Sequence, residues 1–216
     1  MDSSERVQRV VLWRNLAAPG TDYCALSRTG EGWVLRGTAV VALAPDTRAG
    51  GRLSGEDLSG KRPMLAGYEV HCDECWRTRR VEVGRTIGND VRRLSLTAGG
   101  EGNWQSSGDD AAGIDLAGVS LGALAGCVDV DLAVTPATNT LPIRRLALPA
   151  GKTAAVRAAW VKFPDLDVQP LGQRYTRLAE NRYRYESDTG FSAEIEVDDL
   201  GLVTMYPGGW ERVAEQ

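Results

Sequence analysis

Polar and apolar residues alternate with a period of two along most of the chain, the pattern of strands with one buried face and one in water. Val91–Thr97 (VRRLSLT) alternates cleanly. Arg182–Ser187 (RYRYES) sets Tyr183 and Tyr185 on one face against Arg182, Arg184 and Glu186 on the other. The same pattern predicts strands over Val7–Asn15, Asp22–Arg28, Gly32–Leu43, Ala66–Cys75, Arg77–Gly84, Leu124–Val134, Gln173–Leu178, Phe191–Asp198 and Leu202–Tyr206. Thr153–Phe163 has helical composition, yet Val156, Ala158 and Trp160 alternate and Pro164 closes the run, so it is assigned as a strand. The turn signal Thr29-Gly30-Glu31-Gly32 joins two consecutive antiparallel strands.

Two stretches break the pattern. Pro45–Leu65 and Ala98–Gly113 are rich in glycine, serine and charge and are expected to be surface loops, the second carrying Trp104. Helix is scarce. The best candidate spans Asn139–Leu146, where Thr138, Asn139 or Thr140 supplies a cap and Pro142 is tolerated in a first turn. Leu141, Arg145 and Leu148 then stack at helical spacing.

Composition narrows the class. With 216 residues and 43% hydrophobic content, the chain is expected to form one domain over 1–216 with a core that needs no disulfides. A net charge of −4 argues against nucleic acid, whose binding needs a basic surface. No apolar run is long enough to span a membrane. The opening residues MDSSERVQRV carry acids and no signal-length apolar stretch, so the expected compartment is the cytoplasm. Cys24, Cys72, Cys75 and Cys127 are then expected to be reduced.

Candidate chemistry concentrates in Gly126–Leu146, GCVDVDLAVTPATNTLPIRRL. On a strand, Asp129 and Asp131 share one face with Cys127, and Val128, Val130, Leu132 and Val134 take the other. Two carboxylates so placed need water, cations or ligand hydroxyls around them. The polar cluster Thr138-Asn139-Thr140 and the pair Arg144-Arg145 follow directly. Tyr68–Arg80 (YEVHCDECWRTRR) is the second dense segment. Its Cys72 and Cys75 beside His71 lack the second ligand pair of a structural zinc site, so no metal is expected. As a strand it would put Trp76, Thr78 and Arg80 on one face and Arg77 and Arg79 on the other. No phosphate loop, dinucleotide fingerprint or nucleophile elbow is present, and no cofactor is expected. Trp76, Trp104, Tyr175 and Tyr206 are candidate stacking surfaces for a sugar.

The segments CVDVDLAVTPATNTLPIRRL (127–146), WRTRRVEV (76–83), QRYTRL (173–178) and VDDLGLVTMYPGGWERV (197–213) resemble a glycolipid-binding family of bacterial proteins, in order and over nearly the whole chain. The resemblance implies a mainly β fold, a large antiparallel sheet curled into a barrel-like wrap around one helix, remotely like lipoprotein-localisation carriers. It also implies a homodimer and an acidic pocket that binds a glycolipid or similar amphiphile without catalysis. Asp129 and Asp131 are the expected acids, with Glu194, Glu196 or Asp198 as further members. Asn139, Arg144, Arg145, Trp76, Arg77, Arg79, Tyr175 and Tyr206 complete the expected ligand-binding set. Two other readings remain open. One is an enzyme acting on a glycoconjugate, with Asp129 and Asp131 as acid and base. The other is a structural module in which Asp129 pairs with Arg144 or Arg145 and leaves no open pocket.

Overall fold

The computed structural model describes residues 5–43, 62–99, 102–106 and 121–216. The first seven strands are β1 (Arg6–Asn15), β2 (Gly20–Arg28), β3 (Trp33–Leu43), β4 (Arg62–Cys72), β5 (Thr78–Ile87), β6 (Asp90–Ala98) and β7 (Trp104–Ser106). The others are β8 (Asp129–Leu132), β9 (Thr153–Val161), β10 (Val168–Ala179), β11 (Arg182–Ser187), β12 (Ser192–Val197), β13 (Val203–Tyr206) and β14 (Trp210–Glu215). They form one sheet in the order β7-β6-β5-β4-β3-β2-β1-β14-β13-β12-β11-β10-β9-β8. Neighbours are antiparallel except β8, which runs parallel to β9.

The sheet curls until its two edges approach, but they meet through side chains. The Val130 N–H of β8 donates to the Thr78 hydroxyl at the start of β5, at 3.1 Å. The Trp104 indole of β7 donates to the Cys127 carbonyl at 2.8 Å. An edge strand has unpaired backbone groups, and these bonds satisfy part of that row.

Among the described residues one α-helix fills the curl. α1 (Thr140–Leu146) follows a 3-10 turn at Ala137–Asn139 and buries Thr140, Leu141, Pro142 and Ile143. Leu141 packs into the core shared with Trp13, Leu26, Val70 and Leu132. Ile143 packs into a second cluster with Tyr175, Tyr183 and Ile195. The helix therefore joins the two halves of the interior. The expected wrap of a large sheet around one helix is what the structure has.

Several local expectations change. No side chain caps α1. Thr138 instead accepts the Leu132 N–H at 3.2 Å, and Thr140 donates to the Gly201 carbonyl at 3.0 Å, so both threonines tie the helix to its surroundings. Of Leu124–Val134 only Asp129–Leu132 is strand. Leu121–Leu124 is a 3-10 turn. The expected strand ends at Cys72, and Trp76 sits in a tight turn with φ 64°. The face assignment of Trp76 and Arg77 therefore fails. Trp104–Ser106 is a strand within the expected loop Ala98–Gly113, and β14 was not expected. In the other expected loop, Pro45–Leu65, the final residues belong to β4, and 44–61 lie outside the described residues.

Candidate functional site

The two aspartates of β8 do share a face, and the opposite face, with Val130 and Leu132, packs into the main core. Parallel register aligns Asp129 with Ala158 and Asp131 with Trp160 of β9. From that shared face they reach different partners. Asp129 is 1% exposed and accepts a guanidinium fork from Arg145, at 2.9 Å and 2.5 Å. Burial raises the Asp129 carboxyl, and Arg145 opposes that rise. Arg145 stands on the last turn of α1, so this bond also fixes the helix against the sheet edge.

Asp131 accepts a bond from the Gln173 amide of β10 at 2.6 Å and forms no ion pair among the described residues. Gln173 also reaches the Tyr185 hydroxyl at 3.2 Å. Burial pushes the Asp131 carboxyl up to about 6, against the hydrogen bonds of Gln173 and Thr138. A carboxylate with only neutral donors lacks the compensation that Asp129 has.

Asp131 faces a cavity of about 330 Å³. Its wall is aromatic: Trp160 of β9, Tyr185 of β11, Phe191 ahead of β12, Tyr206 of β13 and Trp210 of β14. Tyr185, Phe191 and Tyr206 form a triangle, with centroid separations of 6.1 Å, 6.3 Å and 5.9 Å. Phe191 is 45% exposed and marks the rim. Asn139 also lines the cavity, oriented by the Tyr175 hydroxyl, which donates to its Oδ1 at 2.9 Å.

A second buried carboxyl lies one hydroxyl behind this wall. Thr135 lines the cavity and donates to Asp22 at 2.5 Å. The Tyr68 hydroxyl donates to the same carboxyl at 3.1 Å. Burial pushes Asp22 up to about 7. Gly37 makes this arrangement possible, since a Cβ there would stand 2.2 Å from the Tyr68 ring. Asp22 was not among the expected residues. It alternates with Cys24 and Leu26, so an acid on an otherwise apolar strand face was its signal.

The expected set thus divides. Asp131, Asn139 and Tyr206 line the cavity, Tyr175 orients Asn139, and Arg145 holds Asp129. Arg144 donates to the Asp199 carbonyl at 3.0 Å and lies over the Trp76 ring, which stacks on Trp33 at 4.4 Å. Arg77 and Arg79 line a separate recess of about 260 Å³ with Arg145, and Arg79 pairs with Asp73 at 2.7 Å. Glu194 and Glu196 face outward and are exposed, and Asp198 is bound by Arg212 at 2.8 Å, so the extension of the acidic pocket to these residues is withdrawn. Trp160, Tyr185, Phe191 and Trp210 line the cavity without any sequence motif that marks them. Tyr185 and Trp160 had signalled only by their place on inward strand faces. Among the described residues no group of His, Cys, Asp and Glu is placed to hold a metal ion, and Cys72 and Cys75 are free thiols.

A family model described as "Putative glycolipid-binding" matches residues 10–212. The chain belongs to this family. The match begins in β1 and ends in β14, so it takes in every strand, α1 and the cavity. A crystal structure of a DUF1089 family protein from Pseudomonas aeruginosa is similar to the chain at 32% identity, with a TM-score of 0.69. The likeness covers 89% of this chain and 92% of that one, so family and curled-sheet fold agree. No curated protein matches the chain significantly. Within the glycolipid-binding family, this chain offers one carboxyl to a cavity and locks its neighbour in an ion pair. No helix among the described residues is long and apolar enough to cross a membrane.

Proposed function

We propose that this member of the glycolipid-binding family binds the polar headgroup of a glycolipid or similar amphiphile in the Asp131 cavity, without chemistry. One observation carries the reading: among the described residues Asp131 has only neutral partners, and it opens on a cavity walled by five aromatic rings. A carboxylate accepts hydrogen bonds from sugar hydroxyls, and aromatic faces take the C–H side of the ring. The Asp129–Arg145 fork supports the non-catalytic reading, because it occupies one member of the acid–base pair that hydrolysis would require. The same fork fulfils half of the structural-module reading, but here a cavity stays open beside it.

Native mass spectrometry of protein gently purified from cells that naturally make it tests the reading. The expected result is a co-purifying amphiphile that organic extraction removes and that Asp131→Asn carries in reduced amount. Several such preparations without bound lipid, together with no binding on a glycolipid array, overturn it.

The cytoplasm is the proposed compartment, in keeping with four free thiols. A homodimer is proposed as the working state. Its support is a row of exposed apolar residues on the outer face, where Val40 of β3 pairs with Leu65 of β4 and Val91 of β6 lies across β5 from them. Exposed apolar patches on a sheet face are covered by a second copy about a two-fold axis. Sedimentation should give a dimer for the native chain and a monomer for Leu65→Glu; a native monomer removes the proposal.

A further inference from the structure

The charge balance of the cavity narrows its ligand. Asp131 is the one acidic residue in the described lining, and no lysine, arginine or histidine lines it. Among the described residues Asp131 also has no ion pair, whereas Asp129 is neutralised by Arg145 and Asp198 by Arg212. The rings face the same space. Tyr185, Phe191 and Tyr206 form a three-ring corner with about 6 Å between centroids, and Trp160 and Trp210 add two indoles. The negative faces of such rings attract a cation, aromatic cages hold quaternary ammonium groups, and a carboxylate beside them balances the charge. The Lys162 ammonium, outside the lining, stands 5.5 Å from the Trp160 ring centre, so the Tyr185–Phe191–Tyr206 corner is the part of the wall left to a ligand cation. An anionic headgroup meets the opposite situation: Asp131 repels it, and no guanidinium or ammonium among the described residues lines the cavity to receive it.

We propose that the Asp131 cavity selects a headgroup carrying an ammonium group, such as an amino sugar or an alkylammonium, over neutral and anionic headgroups. The cation sits against the Tyr185–Phe191–Tyr206 corner with its charge balanced by Asp131. This rests on the headgroup-binding reading above and specifies its ligand class.

Calorimetric titration with three amphiphiles of equal chain length, each below its micelle concentration, tests the assignment. The probes are decyltrimethylammonium, decyl glucoside and decyl phosphate, with thermal melts run alongside to separate binding from unfolding by detergent. The ammonium compound is expected to bind about tenfold more tightly than the glucoside, between the worth of an exposed and of a fully desolvated cation–π contact. The phosphate is expected to bind most weakly. Asp131→Asn and Tyr206→Leu, both folded by melting, should each bring the ammonium-to-glucoside ratio to within about twofold. Glucoside binding as tight as or tighter than ammonium binding overturns the ammonium assignment and leaves the headgroup reading standing. So does a preference for phosphate. An unchanged ratio in both variants also overturns it, because the cation then binds elsewhere. No binding by any of the three overturns both.

Discussion

Asp129 and Asp131 stand two residues apart on one strand and differ because of what reaches each of them. Arg145 neutralises Asp129 with a two-point fork, and removing it would strand a buried charge. Arg145→Ala is therefore expected to cost about 3–5 kcal/mol by urea denaturation. A loss no larger than that of an ordinary surface substitution would show that the fork is not holding the fold. Asp22 makes the pH prediction. Its carboxyl moves from 3.8 up to about 7, so between those values the folded chain holds more protons than the unfolded one. Stability from this group is then fully present near pH 4, falls by at most about 1.4 kcal/mol per unit as pH rises, and levels off above about 7. Asp131 adds the same sign up to about 6, whereas Glu69, held low by Arg36, acts in the opposite sense below its ordinary 4.5. The gap between wild type and Asp22→Asn, measured by denaturation from pH 4 to 8, should track that window; parallel curves would contradict the assignment. The shared face of the two aspartates was legible from strand period alone. Their different fates were not, because Arg145 and Gln173 reach them only after the helix and β10 are placed.

At the level of elements, α1 and β8 carry the site. Seven residues make too short a helix to be stable alone, so packing of Leu141 and Ile143 holds α1 in place. Leu141→Ala removes a fully buried side chain and should cost about 2–5 kcal/mol in a thermal or urea melt. Gly37→Ala forces Tyr68 away from Asp22, with an expected loss of about 1–3 kcal/mol. Wild-type stability in either variant would mean that the packing is looser than described. The helix was legible within a residue or two from Pro142 and its apolar spacing. Its capping was misjudged, because the threonines found partners far away in sequence. β14 escaped notice for a related reason: WERVAE carries charges at half its positions, and its strand state comes from lying between β1 and β13.

At the scale of the whole molecule, the curled sheet brings residues from β8 to β14 around one cavity. Trp160, Tyr185, Tyr206 and Trp210 come from four different strands, which is why no local motif announced the site. The resemblance to the family supplied the curl, and alternation supplied most of the strands. The convergence of rings on Asp131 needed the sheet order. The central claim is that this cavity is where a headgroup binds, and the six tryptophans report on it separately. Trp160 and Trp210 line the cavity, while the indoles of Trp13 and Trp104 are hydrogen-bonded elsewhere in the core. The most direct measurement is a proton–nitrogen spectrum of the indole groups, assigned by single Trp→Phe variants and followed during titration with decyl glucoside or decyltrimethylammonium. The account predicts that the Trp160 and Trp210 signals move in a saturable way while Trp13 and Trp104 stay fixed. Saturable shifts confined to Trp33 and Trp76, or no shift in any indole with either compound, would contradict it.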